Sequence, residues 1–133
     1  MVRVFLMLSF NTLLGLSIQL TLIPRSAEQL FVIDGSLQVG VVDTTNKLYT
    51  QTLQTGDMFV FPKGLVHFQY NADAQKPALA VSAFGSANAG TVSIPSSLFT
   101  NGIDDNVLAK SFKTEVATIQ TLKAVLAPQA LKG

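Results

Sequence analysis

From Glu28 to Phe84 apolar and polar residues follow one another at the short period of half-buried strands, broken at regular intervals by turn residues. Glu28–Asp34 (EQLFVID) reads as a strand that stops at Gly35. Ser36–Asp43 alternates and returns as its hairpin partner. Thr44–Lys47 makes a turn. Leu48–Gln54 is a third strand, with Leu48, Thr50 and Thr52 on one side and Tyr49, Gln51 and Leu53 on the other. After Thr55-Gly56-Asp57, the apolar Met58–Phe61 runs to a corner at Pro62-Lys63-Gly64, and Val66–Tyr70 continues as strand. Ala72–Lys76 is a polar loop, Pro77–Phe84 a further apolar strand and Thr91–Ile94 a short last one. Short strands at even spacing with glycine turns predict a sandwich or small barrel.

The period changes at Pro95. Asp104 or Asp105 caps a short helix over Asn106–Phe112. Thr114 is placed to cap another, with Glu115 in its first turn. Val116, Ile119, Leu122, Val125 and Leu126 then fall on one helical face, and Pro128 and Gly133 end the pattern. At the other end, Met1–Ile23 carries only Arg3 as an ionised side chain. Two readings stand: Val4–Phe10 as the apolar part of a secretory signal behind Arg3, or a buried strand over Leu16–Ile23. Asn11, Thr12, Ser17, Gln19 and Thr21 dilute the stretch too far for a stable membrane span. The organisation expected is an apolar segment over 1–23 and a β domain over 24–133, whose helical extension begins near 95.

Composition sharpens this picture. The chain has 133 residues, 48% hydrophobic and 13% charged, enough for one core and oily enough to predict surface buried between subunits. A net charge of +1 without a basic run excludes a nucleic-acid footprint. The absence of cysteine removes disulfides and thiolate chemistry. No Asn-x-Ser/Thr sequon is present.

Candidate chemistry gathers in Gly56–Asn71, GDMFVFPKGLVHFQYN, which holds the single histidine, His67. Gly56 and Gly64 allow the backbone to reverse, and Pro62, lacking an N–H, suits a strand end. His67 is then free to point inward as a metal ligand, or to sit there as a hydrogen-bonded core residue. Glu28 opens its strand as an exposed carboxylate or an inward one. Asn71 either lines the mouth of the barrel or caps a turn. Phe59, Phe61 and Phe68 are expected in the core and Lys63 in solvent. With one histidine and no cysteine, no hydrolase triad can be assembled.

The spacing Gly56, Pro62, Gly64, His67, Asn71 resembles the second sequence motif of the cupins at each of its fixed positions. Pro24–Gly40, PRSAEQLFVIDGSLQVG, resembles the first motif of plant germin-like proteins, with Pro24, Arg25, Glu28 and Gly35 at matching places. SIPSSLF and DDNVLAKSF resemble the germin C-terminal end, so the likeness runs from Pro24 to about Val125. It implies a mainly β, cupin-type jelly roll or β-barrel with C-terminal α-helices. It also implies a manganese ion held by three histidines and one glutamate, with oxalate oxidase or superoxide dismutase activity in some members. Secretion to the apoplast and a homo-oligomer assembled through the C-terminal helices follow from the same likeness. Carried over by position, Glu28 and His67 are kept, while Thr21 and Ile23 stand where the two first-motif histidines are expected. Ile23 has no donor atom and Thr21 only a neutral hydroxyl. Asn11–Ser17 resembles a strand lying further upstream in germins, so a deletion before Pro24, or an incorrect gene model, accounts for the change; simple counting instead places Gly15 at the motif's leading glycine. The family's N-terminal cysteine pair is missing. Three outcomes remain: a manganese cupin, a non-catalytic cupin that serves as a structural or small-ligand module, or a shortened product that does neither. The expectation for manganese is weak binding or none.

Overall fold

A computed structural model describes residues 6–128. The chain divides after Val92 into two units. The first holds two antiparallel sheets. The strands are β1 (Met7–Leu13), β2 (Ile18–Leu22), β3 (Glu28–Asp34), β4 (Ser36–Val42), β5 (Leu48–Gln54), β6 (Met58–Phe61), β7 (His67–Tyr70), β8 (Ala78–Phe84) and β9 (Val92–Ser93). One sheet runs β1-β8-β3-β6 and the other β5-β4-β7-β2-β9.

The pairing is nested. β4 pairs with β5, β3 with β6, β2 with β7 and β1 with β8, all antiparallel. A long hairpin folded over on itself gives this order, and it is the jelly-roll topology that the strand spacing and the cupin resemblance imply. Positive φ at Gly35, Gly56 and Gly64 permits the reversals between strands. At Gly35 a side chain would also meet the backbone of Ala78 at 3.0 Å.

Met7–Leu13 and Ile18–Leu22 are strands of the two sheets. The second coincides with the strand reading of Leu16–Ile23, but it is half-buried, not buried: Ile18 and Leu20 face solvent. The signal-like reading of Val4–Phe10 falls partly outside the described residues, and its described part lies in β1.

Side chains pointing between the sheets form the core. Leu13, Leu30, Val32, Leu37, Val39, Leu53 and Phe61 are essentially inaccessible. Along β3 and β8 the interior changes character. Val32, Ala78 and Ala80 lie at one end, and Glu28, Ser82 and Phe84 at the other. That polar end of an otherwise apolar interior is where the chemistry lies. β5 departs from its expected alternation: only Leu53 is buried, because β5 is the outer strand of its sheet.

The second unit contains α1 (Ile94–Phe99), α2 (Asp105–Phe112) and α3 (Val116–Leu126). α1 was not foreseen from the sequence, although Pro95 opens its first turn. Asp104 caps α2, accepting from the N–H groups of Asn106 and Val107 at 2.9 and 3.2 Å. Glu115, not Thr114, is the residue before α3, and it makes no side-chain cap. The apolar face of α3 is divided. Ile119 is fully buried with Leu108 and Ala109, whereas Leu122 and Val125 remain exposed. Among the described residues, no helix is long and apolar enough to cross a membrane.

Candidate functional site

β7 carries the site because the strand period of two sends His67 and Gln69 inward and Phe68 and Tyr70 outward. The turn at Gly64 donates its N–H to the Ile23 carbonyl at 2.8 Å, which ties the corner before β7 to the end of β2. His67 is 1% exposed and its ring stacks on Phe61 with centroids 4.1 Å apart. Nδ1 lies 3.1 Å from the carbonyl oxygen of Leu65. A carbonyl only accepts, so Nδ1 donates to it. Thr21 Oγ lies 3.2 Å from Nε2, within hydrogen-bond reach.

Thr21 and His67 are direct partners across the β2–β7 ladder. Glu28 reaches the same place from the opposite sheet. It is 4% exposed, and its Oε1 lies 3.6 Å from His67 Nε2. Its Oε2 accepts from Ser82 Oγ at 2.9 Å and from Gln69 Nε2 at 3.3 Å. Ser82 in turn accepts from Asn11 Nδ2 at 3.2 Å. Burial disfavours a charged carboxylate, and these donors offset part of that cost. Glu28 is therefore the inward alternative of the sequence reading.

The group opens on a cavity of about 260 Å³. Asn11, Gln19, Thr21, Glu28 and Gln69 supply most of its polar wall, and Ile23 and Phe84 form an apolar patch. Ile23 is 3% exposed and packs with Phe84 and Ala89. A larger hollow of about 410 Å³ lies on the outer side of β4, β5 and β7, lined by Gln38, Thr50, Thr52 and Phe68 among others; no lining residue is ionisable.

Asn71 does not line the Glu28 cavity. It is 1% exposed and serves the turn: Nδ2 donates to the carbonyls of Leu13 and Lys76, and Oδ1 accepts from Asp73 N. Both donors of its amide and its carbonyl oxygen are engaged by backbone groups of the turn. Phe68 is also not a core residue. It lies on the outer side over Gly40, where a Cβ would come within 2.2 Å of its ring. Phe61 is core, Phe59 packs partly against it, and Lys63 is exposed.

Three residues of the cluster were not singled out from sequence. Gln69 was legible in principle, since it stands two positions after His67 and shares its face. Asn11 and Ser82 come from strands far apart in the chain and meet only through the β1–β8 pairing. Gln69 Oε1 is buried without a hydrogen-bond partner.

The donor set bears on the manganese that the resemblance implies. Glu28 and His67 supply one carboxylate and one imidazole; Thr21 supplies a hydroxyl committed to the ring nitrogen, and Ile23 nothing. Among the described residues no cluster of three histidine, cysteine, aspartate or glutamate side chains comes together. A germin-type centre of three imidazoles and one carboxylate does not fit these residues.

Known proteins bear out the family. The cupin family model matches residues 10–120. Germin-like protein 9-3 of Oryza sativa subsp. japonica is 69% identical over 105 residues, which is 79% of this chain and 49% of the relative. The rhicadhesin receptor of Pisum sativum is 45% identical over 108 residues, 80% of this chain and 49% of the relative. The chain thus spans about half the length of these relatives. A solved oxalate oxidase superposes with a TM-score of 0.89 at 30% identity, over 94% of this chain and 65% of that one. The oxalate decarboxylase of Bacillus subtilis, at 22% identity and a TM-score of 0.79 over 90% of this chain and 31% of that one, shares the fold. Motif spacing, nested strand pairing and these relatives agree that the chain belongs to the cupin family, as a germin-like cupin.

Proposed function

We propose that this germin-like cupin is a small-ligand binding module whose cavity lies between Glu28, Gln69 and Thr21, without a resident manganese centre. The observation that carries the reading is the contact between Thr21 and His67. The ring nitrogen that would face a metal is occupied by the Thr21 hydroxyl at 3.2 Å, and the other first-motif position, Ile23, contributes hydrocarbon to the wall. Two strong donors leave most of an octahedral shell to water, and Mn²⁺ is among the weaker binders of the divalent series. No redox step is assigned. The residues themselves can orient a ligand, accept its hydrogen bonds at Glu28 and Gln69, and exclude water along Ile23 and Phe84.

A second reading keeps the manganese of the germin resemblance, with oxalate oxidase or superoxide dismutase type activity. It is favoured by the 3.6 Å approach of Glu28 Oε1 to His67 Nε2. Elemental analysis of the purified, dialysed chain decides between them. The binding-module reading expects manganese far below one per chain. About one manganese per chain, lost in His67→Ala, would establish the second reading and overturn the first.

The setting is part of the proposal. The germin likeness supports secretion to the apoplast and assembly of a homo-oligomer. The C-terminal helices offer Leu122 and Val125 for such contacts, and the outer side of the β1-β8-β3-β6 sheet offers Phe10, Phe31 and Met58, all exposed. Phe10 and Phe31 both register with Val81, and Phe31 with Met58, so they form one apolar row across the sheet. Light scattering that shows a monomer at high protein concentration contradicts the assembly.

A further inference from the structure

The cavity is built to take hydrogen-bond donors. Its lining contains one ionisable side chain, Glu28. Among the described residues no lysine or arginine lines it, and the nearest basic group is the His67 ring, whose Nδ1 is bound to Leu65 and whose Nε2 faces Thr21. Gln69 adds a second acceptor. Its amide cannot be turned round, because the carboxylate 3.3 Å away requires the NH₂ group on that side. Oε1 is thereby left buried and without a partner. An orphaned buried carbonyl beside a buried carboxylate is a costly arrangement in an empty protein, and a ligand that donates to both relieves it. Ile23 and Phe84, the latter the cross-strand partner of Glu28, add an apolar surface to the same wall.

Resting on the binding-module reading above, we propose that the cavity binds small primary ammonium compounds, with the –NH₃⁺ group donating to Glu28 and Gln69 Oε1 and a short hydrocarbon end against Ile23 and Phe84. Donor number decides the class. A neutral alcohol carries one O–H and can satisfy Gln69 or Glu28 but not both, whereas a primary ammonium carries three N–H donors. A carboxylate such as oxalate or glycolate brings acceptors to a wall already rich in them, and no lysine or arginine of the lining answers its charge. The size is bounded too. About 260 Å³ holds roughly nine waters at ~30 Å³ each, so a ligand of about five to eight non-hydrogen atoms fits in it.

The test uses the full chain after chelator treatment, with metal content measured on the same preparation. Butylammonium, butanol, glycolate and oxalate are titrated separately, read by calorimetry and by the NMR signals of the Gln69 side-chain amide. Butylammonium is expected to bind saturably and shift that amide. Butanol should bind about tenfold more weakly or less, because hydrogen bonds to charged groups are the stronger ones, and the two anions should not bind. Gln69→Leu and Glu28→Gln should each weaken butylammonium by about tenfold or more. No saturable butylammonium binding, or anions binding as well as the amine, overturns the proposal. So does an affinity unchanged in both variants. If a variant does not fold, the comparison of the four probes on the unaltered chain still decides. Tight manganese in the protein before chelation would overturn the metal-free reading alone, since the ammonium preference is measured after the metal is gone.

Discussion

β7 and β2 lie side by side in one sheet at the site, and they are held in place by different means. β7 lies between β4 and β2 in its sheet, and both of its inward side chains, His67 and Gln69, are almost wholly buried. His67 is fixed by the Phe61 ring, the Leu65 carbonyl and Thr21. β2 is matched to β7 residue by residue, from Ile18 opposite Tyr70 to Thr21 opposite His67. Its inward side chains Gln19 and Thr21 are only half-buried, and Ile18 is 64% exposed on the other side. Packing fixes the chemistry on β7, whereas β2 is held chiefly by backbone pairing with β7 and β9. A site half held by the ladder can change its side chains without unfolding the sandwich. That is the physical reason a cupin barrel persists here around a donor set that no longer matches a germin centre.

The largest effect is expected where β7 is supported. Phe61→Ala removes a ring that is 1% exposed and stacked on His67. It should cost about 3–5 kcal/mol in denaturant unfolding and broaden the His67 ring signals in NMR. Thr21→Ala, on the ladder-held side, should cost about 1 kcal/mol, the worth of one hydrogen bond. Equal losses from the two changes would mean that β2 is as tightly packed as β7, and the contrast fails.

The second comparison lies within the first-motif positions themselves. Thr21→His enlarges a half-buried side chain that already points at the cavity, and should change stability by less than about 1 kcal/mol. Ile23→His replaces an aliphatic side chain packed with Phe84, Ala89 and Met7 by an imidazole at the wall of the Glu28 cavity. A loss of about 2–4 kcal/mol is expected from the lost apolar packing. Added manganese should return part of the loss only in the double substitution, because a ligand bound by the folded state alone raises stability. Melting curves with and without the ion measure this. A double variant indifferent to manganese would show that the ladder does not aim these two positions at His67.

On the outer side of the same strands the contrast is milder. Gly40 lies opposite Phe68 across the β4–β7 ladder, and a Cβ there would meet the tip of the Phe68 ring. The ring is partly exposed, so it can swing outward. Gly40→Ala should therefore cost only about 1 kcal/mol, at the low end for overpacking. A loss as large as that of Phe61→Ala would show Phe68 to be locked like a core residue.

The same division explains what was legible in the sequence. Strand limits between Glu28 and Phe84 followed from alternation and turn residues, because those signals are local. The helix over Asp105–Phe112 followed from its aspartate cap for the same reason. Glu28 and His67 came from motif spacing, and their meeting required the two sheets to close. Asn71 was ambiguous because a cavity asparagine and a turn asparagine leave the same mark in a sequence; only the positions of the Leu13 and Lys76 carbonyls decide. Residue type alone places Phe68 in the core, whereas the strand period, applied from His67, sends it outward. The short helix Ile94–Phe99 was missed because it lacks a side-chain cap and buries no residue fully. The Asn11–Ser82–Glu28 chain depends on contacts 71 and 54 residues apart, and no local pattern reports those.

The smallest effect concerns the second unit, where an ion pair tests whether surface electrostatics matter beside packing. Asp105 Oδ1 lies 2.6 Å from Lys123 Nζ, linking the first turn of α2 to the last turn of α3. Lys123 also donates to the Ile103 carbonyl. The hydrogen bond from Lys123, helped by Gln120, holds the Asp105 carboxyl below the usual carboxylate value. A depressed folded value means that the unfolded chain takes up the proton first. The pair's contribution is therefore present above the unfolded value of about 3.9, and it disappears as pH falls through the lower folded value. Both side chains are partly exposed, so the contribution is modest and screened by salt. Hydrogen exchange at the buried Leu108 and Ile119 amides in the full chain measures it. Acidification should open this cluster more in the unaltered protein than in Asp105→Asn, which starts slightly looser and changes less. Identical acid responses would leave the Asp105–Lys123 pair without a measurable share.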